Sequence, residues 1–118
     1  MTEAILKERF LRFGKSVYNL TKEFAKEPAY NVVSYQILKS SSSSGANYHA
    51  ACRGKSTPDF INKLKIVEEE LDETIYWLKY IDGIDGKWKQ FTDPLSKEGN
   101  ELLSIIIASK KTVLGKSN

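Results

Sequence analysis

The chain has 118 residues, of which 41% are hydrophobic and 28% charged, and its net charge is +3. This length suits one hydrophobic core rather than two, and the composition is that of an ordinary folded domain, which excludes a largely disordered chain. A net charge this small does not by itself indicate a nucleic-acid partner.

The sequence also predicts where the protein resides. Cys52 is the only cysteine, so no internal disulfide can form, and the first ten residues mix acidic and basic side chains. A secretory signal would carry a long apolar stretch there. The longest apolar candidate, Leu102 to Ala108, falls well short of the roughly 20 residues that span a bilayer. We therefore expect a cytoplasmic protein without a membrane span.

A first helix is predicted over about residues 3–26. Its apolar residues recur at alternating steps of four and three, which is typical of a helix that packs along its whole length. This stripe consists of Leu6, Phe10, Phe13, Val17, Leu20 and Phe24. Pro28 is expected to stop the helix, because proline in a helix interior loses a hydrogen bond and clashes with the preceding turn.

The second segment, about residues 30–53, has two interpretations. Ser40 to Ser44 followed by Gly45 has the composition of a flexible linker, which would divide the domain. Against this, Val33, Ile37 and Tyr48 stay roughly in helical phase on both sides of the serines. The phase favours a helix whose small residues let a neighbouring helix approach closely.

The third helix is predicted over about residues 58–82. Thr57 and Pro58 form its start, since threonine caps free backbone N–H groups and proline suits the first helical position. Gly83 and Gly86 mark its end. The predicted stripe consists of Phe60, Leu64, Val67, Leu71, Thr74, Leu78 and Ile81.

The fourth helix is predicted over about residues 94–114, starting at Asp93 and Pro94. Its stripe consists of Leu95, Gly99, Leu102, Ile106, Ser109 and Val113. Trp88 and Phe91, in the link before it, are expected to cover the end of the bundle. Stripes of one period imply mutual packing, so we predict an all-α fold: a single antiparallel up-and-down four-helix bundle.

Three stretches of the chain resemble a known family. They are QILKSSSSSGAN (36–47), KSTPDFINKLKI (55–66) and ETIYWL (73–78). They are similar to the bacterial four-helix-bundle family that includes proteins encoded in intervening sequences of 23S ribosomal RNA genes. The family pattern runs approximately R-S-x-S-I-x-x-N, S-x-x-D-F and E-x-x-Y-W-L. The matching positions here are Lys39, Ser40, Ser43, Asn47, Ser56, Asp59 and Phe60.

The resemblance implies properties that the residues alone do not. It places the serines inside a helix and implies a homopentameric ring. A relative, the accessory variability protein of diversity-generating retroelements, partners a reverse transcriptase and nucleic acid. The chain departs from the pattern at Lys39, where arginine is usual, and at Ser44, where isoleucine is common.

Basic residues are predicted to gather at one end of the bundle. If the helices alternate in direction, the start of the chain, the turn near residues 53–65 and the C-terminus share that end. Eleven cations against Glu3, Glu8 and Asp59 give it a net charge of +8. The cations are Lys7, Arg9, Arg12, Lys15, Arg53, Lys55, Lys63, Lys65, Lys110, Lys111 and Lys116. Such an end suits phosphates of RNA or DNA, but the charges equally suit solubility or an acidic protein partner.

Two further patterns concern assembly. A basic stripe runs along the first helix through Arg12, Lys15, Asn19, Lys22 and Lys26, and an acidic run covers residues 68–73. If these charges meet between subunits, assembly should weaken in high salt. The aromatic residues Tyr76, Trp77 and Tyr80 are candidates for an oligomer interface, although a place at the edge of the core fits them as well.

The sequence offers no catalytic constellation. His49 and Cys52 are three residues apart, but two ligands are not a metal site, and a structural or surface role is expected for both. No phosphate-binding glycine loop, G-x-S-x-G or H-E-x-x-H motif is found. We expect a non-enzymatic scaffold without metal or cofactor that contacts RNA or DNA. The alternative is an adaptor whose bundle surface binds a protein partner without nucleic acid.

Overall fold

The computed structural model describes residues 1–117, and the side chains among them as far as Gly115. Within this range the chain forms α1 (Glu3–Thr21), α2 (Pro28–Cys52), α3 (Thr57–Ile84), a 3₁₀ turn (Gly86–Trp88) and α4 (Lys89–Ser117), without a β-strand. Each helix packs against the next, and α1 also contacts α4. The molecule measures 49 × 21 × 20 Å. The predicted all-α bundle is confirmed.

The helices alternate in direction. Phe10, early in α1, stacks on Tyr48 late in α2 at 5.1 Å between ring centroids. Ser40 of α2 is hydrogen-bonded to Thr74 of α3, and a side chain at Gly99 of α4 would contact Phe13 of α1. Among the described residues, none of these helices is long and apolar enough to cross a membrane.

The predicted stripes form the core. Every stripe residue of α1 itself is buried, as are those of α3 from Leu64 to Ile81. In α4 the stripe is buried from Leu95 to Ile106 and becomes half-buried at Ser109 and Val113. The regular spacing therefore identified the side of each helix that packs inward.

The serine-rich segment is helical throughout. Ser40, Ser41, Ser44 and Gly45 are buried. The hydroxyls of the three serines are hydrogen-bonded. The Ser40 and Thr74 oxygens lie 2.8 Å apart, and the Ser44 hydroxyl donates to the carbonyl of Ser41 at 2.7 Å. Buried hydroxyls that are hydrogen-bonded carry little penalty, so the helix passes through this sequence unbroken. The helix interpretation is confirmed and the linker interpretation is wrong.

Several predicted helix ends differ from the structure. The first helix ends at Thr21 rather than near residue 26, so Phe24 belongs to the connection. Pro28 does not stop α1; it is the first residue of α2, where its missing N–H has no helical partner to lose. The cap of α3 is Ser56, whose hydroxyl accepts from the Asp59 N–H at 3.2 Å, one residue before the predicted Thr57.

The start of α4 was predicted five residues too late. The Asp85 carboxylate accepts from the Lys87 N–H at 2.9 Å and begins the 3₁₀ turn, which leads directly into α4. Pro94 therefore lies inside the helix, where it removes the hydrogen bond to the carbonyl of Gln90. Both residues are exposed, so that carbonyl remains accessible to solvent.

An aromatic cluster closes this end of the bundle. Phe24 stacks on Tyr30 and meets Trp88 edge-on, each at 4.9 Å. Trp88 is buried, and its indole N–H donates to the Tyr30 hydroxyl at 2.9 Å. Phe91 is exposed beside it. The predicted cover therefore consists of Trp88 with Phe24 and Tyr30, and Phe91 adds only an outer contact.

α1 and α2 approach each other closely at Gly45. A side-chain carbon there would lie 3.3 Å from Cβ of Phe10, closer than the ~3.5–4.0 Å of a favourable carbon contact. Gly45→Leu should lower the free energy of unfolding by about 1–3 kcal/mol through overpacking, measured by urea denaturation. Gly14→Ala is the control: its side chain would meet nothing within 4 Å, so it should raise that free energy by about 0.5–1 kcal/mol. Equal effects would contradict the close approach.

The Tyr30–Trp88 hydrogen bond gives a second prediction. Tyr30→Phe leaves the buried indole N–H without an acceptor and should lower the free energy of unfolding by about 1–3 kcal/mol. Tyr35→Phe removes the same hydroxyl from an exposed side chain and should change it by less than about 0.5 kcal/mol. Identical urea midpoints for the two variants would rule out this role of the hydrogen bond.

Candidate functional site

The start of the chain, the α2–α3 turn and the last part of α4 meet at one end of the bundle. Glu3, Cys52, Lys55 and Val113 line a single small cavity of about 370 Å³ there. This end, with its exposed cations Arg53, Lys55, Lys65 and Lys111, is called the basic pole below. The grouping predicted from alternating helix directions is therefore present.

Two of the predicted nucleic-acid contacts are engaged inside the protein. Arg9 of α1 donates to both carboxylate oxygens of Glu98 on α4 and also lies 3.0 Å from Glu101. Hydrogen bonding to Glu98 raises the pKa of Arg9. Lys110 of α4 pairs with Glu68 of α3 at 2.6 Å. Because Glu98, Glu101 and Glu68 lie beside these cations, they lower the charge predicted for this end by three.

Two other predicted contacts have weak partners. Lys7 lies 3.1 Å from Glu3, and Arg12 lies 3.9 Å from Glu8, both one helical turn apart on the surface. Exposed pairs of this kind contribute little and exchange readily.

Six of the remaining predicted cations form no ion pair with the residues that the structure describes. Within the part of the chain that the structure describes, these residues form no ion pair: Lys15, Arg53, Lys55, Lys63, Lys65 and Lys111. The side chain of Lys116, which was counted with them, lies outside the described residues. The unpaired cations are the part of the predicted set that phosphates can reach without breaking an internal contact.

Most of the family-motif residues build the turn and the helices around it. Ser56 caps α3, and Phe60 packs against the core. The Asn47 amide donates to the Ser43 carbonyl at 2.9 Å and to its hydroxyl at 3.0 Å. Asp59 is half-buried beside Gly54, while Lys39 is exposed on α2. The motif therefore specifies the α2–α3 connection more than a binding surface.

The predicted aromatic interface forms part of a longer stripe on the outside of α3. Tyr76 and Tyr80 are exposed, whereas Trp77 is half-buried against the core and donates to Glu73 at 3.3 Å. Outward residues recur at steps of three and four along the helix. We call this stripe the outer ridge of α3; it consists of Ile66, Glu69, Glu73, Tyr76 and Tyr80.

The two charge patterns predicted for assembly are only partly available. Along the basic stripe, Arg12, Lys15, Asn19 and Lys22 are exposed, but Lys26 lies beyond the end of α1. In the acidic run, Glu68 is paired internally with Lys110.

A groove between α1 and α2 was not predicted. Its volume is about 700 Å³. Small residues form its floor, Leu11, Tyr18 and Leu38 form its walls, and Lys15, His49 and Arg53 add the charged and polar groups. The floor consists of Gly14, Ser41, Ser42, Gly45 and Ala46. We call this the α1–α2 groove. In the sequence it could have been predicted from Leu11 and Tyr18, two large apolar residues that are seven positions apart and lie outside the core stripe of α1.

His49 and Cys52 do not face one site. His49 is exposed in the α1–α2 groove, whereas Cys52 lines the small cavity at the basic pole. Burial raises the pKa of the Cys52 thiol, although the neighbouring Tyr48 hydroxyl acts in the opposite direction. A raised pKa leaves less thiolate at neutral pH, which disfavours both nucleophilic attack and metal binding. Among the described residues, no three His, Cys, Asp or Glu side chains cluster as metal ligands.

Comparison with known proteins identifies the family to which the chain belongs. The chain is similar to a protein of unknown function from the S23 ribosomal protein family of Bacteroides thetaiotaomicron VPI-5482, solved by crystallography at 1.70 Å. The two are 32% identical, with a TM-score of 0.85 over 94% of this chain and 99% of that one. No curated protein matches the chain. The model of the 23S rRNA-intervening sequence protein family matches residues 3–108, so the chain belongs to that family.

Proposed function

We propose that the protein is a non-catalytic, cytoplasmic scaffold that assembles into a ring-like homo-oligomer and contacts RNA or DNA through its basic pole. The observation that carries the proposal is the group of exposed cations without internal partners around the α2–α3 turn and the end of α4: Arg53, Lys55, Lys65 and Lys111. Free lysine and arginine side chains bind phosphate oxygens and release counterions from nucleic acid.

The basic pole is suited to contacts with the phosphate backbone of a nucleic acid rather than with its bases. Its cations lie on a turn and on two separate helices, and no single helix presents a row of them to a groove. Such contacts carry no sequence information directly. In a ring of aligned copies, the electrostatic fields of the basic poles would add together and attract a polyanion more strongly. A reverse transcriptase, the partner implied by the resemblance, would then be held beside its nucleic acid.

The raised pKa of Cys52 supports the non-catalytic part of the proposal. Cys52 is the only cysteine, and burial disfavours its thiolate form. The lysines and arginines of the basic pole position phosphates but need a neighbouring base or metal to catalyse their transfer.

Nucleic-acid binding is tested by fluorescence polarisation with labelled single- and double-stranded oligonucleotides. The double variant Lys55→Glu, Lys111→Glu should weaken binding of every sequence and lower the salt dependence by about two phosphate contacts. Both side chains are exposed and unpaired, so the fold should be unaffected.

The matched control is Lys26→Glu, Lys79→Glu, which makes the same charge change away from the basic pole, at exposed lysines that form no ion pair with the described residues. It should retain most of the affinity. Equal loss in both variants would indicate attraction by net charge alone, and no binding by the unmodified protein at low salt would remove the nucleic-acid role.

A further inference from the structure

We infer that the α1–α2 groove is the receptor for the outer ridge of α3 from a second copy of this chain, so that copies assemble head to tail through two different surfaces. The inference rests on the proposed ring and names the contact that builds it. The two surfaces have opposite charge, similar length and complementary shape.

Charge complementarity identifies the occupant. The groove is lined by Lys15 and Arg53, with no carboxylate among its lining residues. The ridge carries Glu69 and Glu73 between its apolar side chains. Within the described residues, none of these four charged groups forms an ion pair in its own chain, unlike Arg9 and Lys110. Opposite unpaired charges on two surfaces of one molecule favour contact between copies.

The apolar parts of the two surfaces also correspond. Leu11 and Tyr18 of the groove are 51% and 52% exposed, and Tyr76 and Tyr80 of the ridge are 55% and 44% exposed. Large apolar side chains grouped in this way mark interaction sites, and tyrosine suits them because its ring is buried while its hydroxyl stays hydrated. Covering the ridge with the groove removes both patches from water at once.

The dimensions of the groove match a helix. With a rise of about 1.5 Å per residue, the ridge from Ile66 to Tyr80 is roughly 21 Å long. The α2 wall from Leu38 to Arg53 is roughly 22 Å long by the same measure. A row of side chains at steps of three and four fits the groove between two packed helices. In the groove, Gly14 adds no side chain that would hold the incoming helix away.

The geometry of such a contact has a consequence for assembly. The groove and the ridge lie on different helices, so the contact is heterologous and leaves one free groove and one free ridge on every pair. A third copy can then add in the same way. Heterologous contacts either close into a ring or extend into a filament.

Two single substitutions separate the surfaces. Gly14→Glu places a long acidic side chain in the groove, where a new Cβ meets nothing within 4 Å, and it also improves helix propensity. Tyr76→Lys removes an exposed ring from the ridge and offsets one of its two negative charges. Their controls are Gly115→Glu, at another open helical glycine, and Val32→Lys, at an apolar side chain that is also 55% exposed.

Mass in solution is measured by size-exclusion chromatography with light scattering, and helicity by circular dichroism. The unmodified protein and both controls should exceed the 13.4 kDa of one chain, and high salt should reduce the assembly. Gly14→Glu and Tyr76→Lys should each raise the dissociation constant by roughly tenfold or more while remaining helical. If Gly14→Glu loses helicity, Lys15→Glu replaces it, since Lys15 is exposed and unpaired.

Mixing the two variants is the decisive measurement. One retains an intact ridge and the other an intact groove, so a mixture should form a dimer of one copy each and nothing larger. No association on mixing, or full assembly by either variant alone, overturns the groove–ridge contact. If the unmodified protein is a monomer, the proposed ring is ruled out together with this contact. If the protein assembles but neither substitution weakens the assembly, only the groove–ridge contact is ruled out. Oligonucleotide binding at the basic pole is read independently in each case through Lys55, Lys65 and Lys111, which do not line the groove, whereas Arg53 is shared with it.

Discussion

The close approach of α1 to α2 at Gly45 is the constraint on which the rest of the molecule depends. Phe10 lies against the glycine backbone, so the contact leaves little room for a side chain at position 45 of α2. Because the helices are so near, the larger residues Leu11, Tyr18 and Leu38 stand above the contact as walls. The same choice of small residues thus produces the tight core on one side and the open groove on the other.

Some charged side chains of this bundle form ion pairs with one another, and others remain available to external partners. Arg9 and Lys110 each join α4 to a neighbouring helix, and their carboxylate partners are only partly exposed. Their geometry is set by the fold, so an external anion would have to displace a carboxylate already in place. Among the described residues, the cations around the α2–α3 turn have no such partner. Position within the ion-pair network, and not the number of lysines and arginines, therefore distinguishes structural charge from charge that is available for binding.

The sequence predicted the features that repeat and missed those that depend on a single contact. The core stripes followed from spacing, and the helical phase of Ile37 and Tyr48 carried α2 through the serines. The start of α4 was missed because it depends on the Asp85 carboxylate and on burial of Trp88 against Tyr30, which outweigh the local signal of Pro94.

The candidate surfaces show the same limit. Arg9 and Glu98 are 89 residues apart, so no local pattern reveals their bond. The α1–α2 groove combines Leu11 and Tyr18 of one helix with the floor of another, and neither half is a groove by itself. Exposure of Tyr76 beside a half-buried Trp77 likewise depends on how α3 is rotated in the bundle, which the apolar spacing fixes only approximately.

The two tryptophans occupy contrasting settings, and this makes the protein its own spectroscopic probe. Trp88 is enclosed by Phe24 and Tyr30 at one end, whereas Trp77 is half-buried beside Glu73 on α3. Intrinsic emission therefore contains one component from a dry environment and one from a partly hydrated, acidic environment. Replacing either indole with phenylalanine isolates the other, so loosening of the aromatic end and coverage of the α3 surface become separately visible without an attached dye.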